Sequence, residues 1–394
     1  MNKKLNILIF SPLALENGRG GEISAIELAS GFQDIYNITL MDTNILFGKG
    51  LLSQNEIKKK LKNVKRNKRI KFATFTFLNR IFTFPYPREI IKLYRQIRKN
   101  QIIYTSSSTI KIDLLLIFFS LLKRNTKFII GFRKPLFSEK GFSLYNLKYR
   151  ISILFFSLLK KRFYFHTISY HAKKFLEHFY DPNKVFHIIH GIDLKGYIEE
   201  SMEKKQNQTL NCIYVGYIDG VHKGVDVLLK GIQKVLEEKK NLKLFFEFCG
   251  EGPLVSQVIE LQKKFPEYIR YNGYISNEEI PKCYKRNDVF LFTSRREPFG
   301  RVMIEALASN LLIICTKTFG SIEVLKGKRF AFFLQELNSD LIKEKIFEIY
   351  ELWKSKIKLF RELQESTKQY AFQNYSFSKE LEMFKELIQK IKLG

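Results

Sequence analysis

Four cysteines, nine prolines and only 39 acidic residues stand in a chain of 394, and each scarcity excludes something. Cys212, Cys249, Cys283 and Cys315 lie far apart in sequence. They match neither a zinc spacing nor a disulfide framework, and they suit a reducing compartment. No run reaches the ~18 uninterrupted apolar residues that a membrane span requires. The nearest, Leu114 to Leu122 and Ile151 to Leu159, are of core-helix length. There is no Asp-x-Asp, and His166, His171, His178, His187 and His222 are scattered among the carboxylates without ligand spacing, so no metal site is expected. With 45% apolar and 14% aromatic residues, the composition is that of a folded protein of two or three domains.

Positive charge is abundant. The net charge is +28, and residues 1–200 hold 35 Lys and Arg against 14 Asp and Glu, a balance of +21. A composition rich in Lys, Ile, Phe and Asn explains part of this, yet such a bias would charge both halves alike. The asymmetry asks for an anionic partner. Its centre is Ile57 to Lys71, which has nine basic residues in fifteen and no acid. Phe72, Phe75, Phe77, Phe82, Phe84 and Tyr86 follow. Lys58, Lys59, Lys60, Lys65, Arg66, Lys68 and Arg69 could meet anionic headgroups while Phe72 and Phe75 meet the acyl boundary. A solvated basic helix followed by a core segment reads the same way, and nucleic acid is a third, less favoured partner. The N-terminus, basic and then apolar, continues into Glu16 and glycines where a cleavage site would stand. It is expected to be a first strand of a cytoplasmic protein, with peripheral contact to the cytoplasmic face of a membrane as an extension.

Strand-like apolar runs alternate with helical patterns twice over. Leu5 to Ser11 leads to a loop ending in Gly18, Gly20 and Gly21 before a helix from Ile23. This is a phosphate loop in form or a tight structural turn, because it lacks both the G-x-G-x-x-G spacing and a P-loop Lys. Ile38 to Met41, Ile102 to Thr105, Phe128 to Gly131, Phe163 to Ser169 and Val185 to Ile189 read as further strands. Arg133 and Lys134 follow the fourth of these six, at a place suited to an anion or to a plain surface loop. A polar stretch, Glu199 to Thr209, has linker composition. Strands resume at Asn211 to Tyr217, with Lys223 in the next turn, and at Phe245 to Cys249. Val289 to Phe292 and Leu311 to Cys315 bracket the most informative stretch. Two carboxylates, Glu297 and Glu305, stand eight residues apart, with Pro298, Phe299, Gly300 and Arg301 between them. A helix starting near Phe299 would aim the N–H groups of Phe299, Gly300 and Arg301 at a phosphate. An ordinary amphipathic helix with a solvated Glu would use the same residues.

This stretch resembles the E-x7-E signature of retaining glycosyltransferases of family 4, in the form E-x-F-G-x-x-x-x-E-A-x-A. The resemblance implies a GT-B fold, two doubly wound Rossmann-like domains facing a central cleft, with the last helix crossing back to the first. The boundaries expected from it are 1–195, 196–372 and 373–394. It implies that Glu297 contacts the transferred sugar, that Glu305 holds the nucleotide ribose, and that the amides after Glu297 bind the diphosphate. Gly20 and Gly21 resemble the first donor-facing loop. Gly216, Tyr217 and Lys223 resemble the diphosphate clamp, with Tyr217 where an Arg is usual. Gly250 belongs to the second turn, and Tyr274 and Ile275 to the loop that meets the base. Arg133 stands where a catalytic His is common, and with Lys223 and Glu297 completes the implied catalytic set. Asn310 replaces a usual glycine, and Phe319-Gly320 replaces a Gly-Gly pair.

The implied protein is a retaining hexosyltransferase. It takes a nucleotide-diphosphate sugar to a glycan or lipid-linked acceptor in cell-surface polysaccharide or glycolipid synthesis, without metal or other cofactor. The alternatives are a nucleotide-sugar epimerase or phosphorylase on the same fold, and a non-catalytic GT-B-like protein that binds anionic membrane or nucleic acid.

Overall fold

The computed structural model describes residues 4–17, 20–45, 52–61, 64–66, 72–77, 80–122, 125–133, 153–154, 156–157, 162–198, 208–239 and 241–393. The calls on Lys68, Arg69 and most of the 199–209 linker lie outside these. Contacts divide the chain into one unit of residues 1–189 with 381–394, and another of residues 190–380.

In the first unit the strands are β1 (Asn6–Phe10), β2 (Asn37–Met41), β3 (Lys65–Arg66), β4 (Phe72–Phe77), β5 (Arg80–Pro85), β6 (Ile102–Thr105), β7 (Lys127–Phe132), β8 (Phe163–Thr167) and β9 (Val185–His187). Seven of them form a parallel sheet in the order β3-β2-β1-β6-β7-β8-β9. Side chains alternate across a strand, and in β1 both sets are apolar. Leu8 and Phe10 enter a core with the helices Pro87–Lys99 and Ile110–Leu122. Ile7 and Ile9 enter a second core with the helix Gly20–Phe32 and with Phe384, Leu387, Ile388 and Ile391 of the final helix. That helix, Phe377–Leu393, begins at the end of the second unit. Its later turns complete the first, and Phe384 sets its ring against Tyr104 at 5.4 Å.

Two sequence expectations change here. The glycines before Glu22 do not form a loop of their own, because Gly20 and Gly21 already lie in the first turn of the helix. The basic and aromatic run is neither a single helix nor a continuous core segment. Its start forms the last turn of the helix Gln54–Lys60, whose other end is closed by a Ser53–Glu56 capping box, Lys65 and Arg66 add an edge strand beside β2, and the phenylalanines fold into the β4–β5 antiparallel hairpin.

The second unit holds β10 (Leu210–Val215), β11 (Leu244–Cys249), β12 (Ile269–Tyr271), β13 (Val289–Phe292), β14 (Leu312–Thr316) and β15 (Ala331–Leu334). They form a parallel sheet in the order β12-β11-β10-β13-β14-β15. Every side chain of β13 and β14 is buried, as continuous apolar runs in a doubly covered sheet require. The strand order reverses between β10 and β13. Loops leaving the carboxyl ends of those two strands therefore diverge around a crevice, the usual ligand position in such sheets. Both units are Rossmann-like, and with the returning helix they supply the parts of GT-B architecture.

Candidate active site

The turn after β10 is built around Asp219. Its Oδ1 accepts from the backbone N–H of His222 at 2.6 Å and of Lys223 at 3.0 Å, a local closure that Asp makes readily. The helix Val225–Glu238 starts directly after it. Thr293, at the end of β13, donates its hydroxyl to the Lys223 carbonyl at 3.0 Å. The turn is thus fastened at both ends to the switch point. The result is an ion pair between Lys223 Nζ and Glu297 Oε2 at 2.7 Å, both side chains mostly buried. Residues 74 apart in sequence, each picked from its own motif, are brought into one group.

Beyond Glu297 the chain does not enter a helix at Phe299. The helix is Arg301–Ala308, and Gly300 is its N-cap at φ 85°, a left-handed conformation that costs glycine little and other residues about 1 kcal/mol or more. A Cβ there would meet Met303 Cε at 2.5 Å. The Phe299 ring is buried between His190 and Tyr375, each 5.8 Å away centre to centre. Its side chain is therefore an anchor, and its backbone is what remains to face a ligand. Among the described residues the N–H groups of Phe299, Gly300 and Val302 have no acceptor, as expected of the first N–H groups of a helix. Glu305, one turn on, is held by Arg301 Nε at 3.1 Å. Pro298 joins Glu297 to the anchor.

Gly320 completes the loop from behind. Its N–H donates to the Glu297 carbonyl at 3.0 Å, and a Cβ on it would lie 2.5 Å from the Phe299 carbonyl oxygen. Of the glycine pair that the resemblance expects, the one retained is the one the packing needs. Asn310, the other departure, sits at φ 65° just past the helix, a conformation asparagine tolerates best after glycine.

Glycines also join the loops after β10, β11 and β12. Gly216 N–H donates to the Cys249 carbonyl at 3.0 Å, and Gly250 N–H to the Gly273 carbonyl at 2.7 Å. Gly250, at φ 144°, passes so close that a Cβ would lie 1.9 Å from Gly216 O. Tyr217 is 58% exposed, and its carbonyl accepts from the Tyr214 hydroxyl at 2.9 Å. Burial, with Asp219 and Glu297 nearby, holds the Tyr214 phenol far above its usual value. Tyr274 and Ile275 follow in the β12 loop, Tyr274 44% exposed.

Sequence reasoning missed the cations that stand near the absent arginine. Arg295 places its guanidinium on the Gly220 carbonyl at 3.0 Å and on Asp226 at 2.9 Å. Arg296, exposed beside Glu297, has no partner among the described residues. Asp219, four residues before Lys223, was detectable as a turn-former; nothing marked Thr293.

The first unit holds the remaining candidates. Arg133 Nη2 donates to the Tyr104 hydroxyl at 2.9 Å. That hydroxyl lies 3.2 Å from His166 Nδ1, and His166 Nε2 lies 3.3 Å from the Ile188 carbonyl. A carbonyl only accepts, so His166 carries its proton on Nε2 and accepts from Tyr104. Arg133 is thus oriented by a buried relay across β6, β7 and β8. Gly20 and Gly21 belong to this unit as well. Lys58, Lys59, Lys60 and Lys65 are exposed, Arg66 lies in β3, and Phe72 and Phe75 lie in β4.

Contrary to their separation in sequence, two cysteines meet. Glu247, Cys249 and Cys283 bring one ligand-type atom each within 4.8 Å of one another. The carboxylate is already engaged, by Arg286 through Nε and Nη2, by Asn272 at 2.5 Å and by Asn287 at 2.6 Å. A guanidinium beside the group opposes a cation, so the cluster fits a hydrogen-bond network better than a metal. The contact with Cys249, reinforced by Arg286, lowers the Cys283 thiol to about 7, and Cys249 is pushed far up.

Residues 198–373 match the family described as Glycosyl transferases group 1. Mannosylfructose-phosphate synthase of Agrobacterium fabrum is 28% identical over 127 residues, 30% of this chain and 28% of that protein. The phosphatidylinositol N-acetylglucosaminyltransferase GPI3 subunit of Saccharomyces cerevisiae is 30% identical over 149 residues, 36% of this chain and 32% of that protein. The chain thus matches about a third of the length of these curated relatives. Among solved structures, a glycosyltransferase of Rickettsia africae superposes with TM-score 0.74 at 18% identity over 99% of both chains. Anabaena HepE in complex with UDP gives 0.75 at 14% identity, over 98% of this chain and 100% of that one. The fold is therefore that of GT-B glycosyltransferases. The second unit in particular is related in sequence to group 1 enzymes.

Proposed function

We propose that the protein is a retaining glycosyltransferase of family 4 that moves a hexose from a nucleotide-diphosphate sugar to a glycan or lipid-linked acceptor. The observation that carries this reading is the Lys223–Glu297 pair at the β10/β13 switch point, beside the acceptor-free N–H groups of Phe299 and Gly300. Departure of a nucleoside diphosphate builds negative charge on its outer phosphate. An ammonium with three donors can bond Glu297 and a phosphate oxygen together, and N–H groups at a helix start favour the same charge. Glu297 then faces the sugar and Glu305 the ribose. Gly216, Tyr217, Gly250, Tyr274 and Ile275 line the nucleotide side, with Arg295 and Arg296 supplying cations near the place of the missing arginine. Arg133 is the third member of the catalytic set, and Gly20 and Gly21 belong with the donor-binding residues. The domains are drawn at 1–195, 196–372 and 373–394.

Anabaena HepE and the pneumococcal O-GlcNAc transferase GtfA were solved with UDP, which makes UDP-sugars the first donors to test. The GPI3 relatives, named for a phosphatidylinositol acceptor, and a Klebsiella pneumoniae protein of a cps region, 32% identical over 149 residues, favour a surface-glycan or lipid-linked acceptor. Such an acceptor suits a cytoplasmic enzyme with its basic segment near a membrane. Among the described residues no helix is long and apolar enough to cross one. The test is a thermal-shift and donor-hydrolysis screen of UDP-, GDP-, ADP- and dTDP-sugars, with and without magnesium. Selective stabilisation with slow sugar release supports the proposal. No response to any nucleotide would leave a non-catalytic polyanion binder as the better reading.

A further inference from the structure

The helix Ile110–Leu122 breaks the usual rule for a surface helix. One side is in the first unit's core through Ile112, Leu116 and Phe119. The opposite side, which ordinarily carries charge, presents Leu114, Phe118, Leu121 and Leu122, exposed by 46%, 53%, 57% and 53%. These stand at i, i+4, i+7 and i+8, a single stripe. From residue 112 to 122 every exposed side chain is apolar, and such a contiguous patch marks an interaction surface.

Its surroundings select the occupant. The helix Pro87–Lys99 lies alongside, with Tyr94 stacked on Phe119 at 5.3 Å. The exposed side of that helix carries Arg88, Arg95 and Arg98 together with Ile91, itself 53% exposed. Among the described residues Arg88 and Arg95 have no partner. In sequence, Lys123 and Arg124 follow the apolar helix directly. An apolar stripe on one helix and exposed arginines on the helix packed beside it match an anionic lipid surface, which takes the rings and leucines at the acyl boundary and the guanidinium groups at the phosphates. A second copy of this chain, at +28, would instead bring like-charged helices together.

We propose that this face, exposed among the described residues, docks the protein on an anionic bilayer, with Leu114, Phe118, Leu121 and Leu122 buried to acyl depth and Arg88 and Arg95 on the headgroups. The inference stands apart from the proposed transfer reaction, and it places the docking surface on other residues than the basic run at 58–69.

The test is co-sedimentation of the full chain with phosphatidylglycerol/phosphatidylcholine vesicles and with phosphatidylcholine alone. The variant Leu114→Ser/Phe118→Ser/Leu121→Ser/Leu122→Ser should lose vesicle affinity by about tenfold or more. Its melting temperature should not fall, since the four side chains are at the surface. Arg88→Glu/Arg95→Glu should lose binding to anionic vesicles at low salt, the loss that high salt produces in the unaltered protein. Phe118→Trp, which keeps an aromatic ring, should show a blue shift with vesicles and quenching by brominated acyl chains. Wild-type sedimentation of the serine variant, or an introduced indole indifferent to brominated lipid, would overturn the proposal. So would a wild-type dimer in light scattering that the serine variant converts to monomer without any vesicle binding, which would assign the face to a second copy. Each readout is independent of donor hydrolysis, so its failure is distinct from failure of the glycosyltransferase reading.

Discussion

The two units build the carboxyl edges of their sheets from partly different material. In the second, backbone is joined to backbone: Gly216 to Cys249, Gly250 to Gly273 and Gly320 to Glu297. In the first, strand ends are joined backbone to backbone as well, as Ser11 N–H is to the Met41 carbonyl at 2.8 Å, and a side-chain relay is added, from Arg133 to Tyr104, to His166 and to the Ile188 carbonyl. The glycine joining of the second demands residues without a Cβ at fixed distances from strand ends, so it leaves motifs that survive in a sequence. A side-chain relay spanning residues 104 to 188 obeys no spacing.

The largest effect that sharpens this contrast is catalytic. Lys223→Ala and Glu297→Gln should each lower transfer by roughly 10²–10³-fold, the usual loss when one charge-stabilising group is removed. Circular dichroism should stay near wild type, while melting falls by a few degrees, because each change leaves one partner of a mostly buried ion pair unmatched. Full activity in either variant would detach the ion pair from function.

Gly250→Ala comes next. A methyl group 1.9 Å from a carbonyl oxygen cannot be accommodated without moving the Gly216 turn. A loss of about 2–4 kcal/mol in urea unfolding, together with lost nucleotide stabilisation, is expected. Tyr104→Phe probes the other construction. It strips Arg133 of an acceptor and His166 of a donor, and should cost about 1–3 kcal/mol. It should leave nucleotide binding unchanged. If it weakened the nucleotide more than Gly250→Ala, the division between the two edges would fail. The smallest effect belongs to Asn310. Asn310→Gly should fall within about 0.5 kcal/mol of wild type, while Asn310→Ala, forced to the same positive φ, should lose about 1 kcal/mol.

Much of the second unit was legible because its apolar runs are long and its loops are short. The strands at 211–217, 245–249 and 289–292, and the helix at Val225, were each found to within about two residues, the ordinary uncertainty of helix and strand ends. The helix after Glu297 was placed two residues early, because a left-handed Gly300 delays its first turn. Legibility fell in the first unit. The run from 57 to 86 has one charge sign and, apart from Tyr86, one ring type, and no periodicity in it announces a capped helix, an edge strand and a hairpin in succession. The meeting of Cys249 with Cys283 was equally hidden, since a strand end and a separate helix are brought together only by packing.

By itself the sequence determined the local chemistry of the protein: two carboxylates with Phe-Gly between them, a lysine in a turn before a helix, glycines at strand ends, and a first half rich in cations. Those follow from short-range sterics and residue type, which act within a few positions of the chain. Only the tertiary structure decided that β10 lies beside β13, that Lys223 therefore reaches Glu297, that Gly320 supports Phe299, and that one helix leaves an apolar face exposed among the described residues. Strand order and helix cover are set by which apolar faces bury one another across long separations, and no local spacing records that choice.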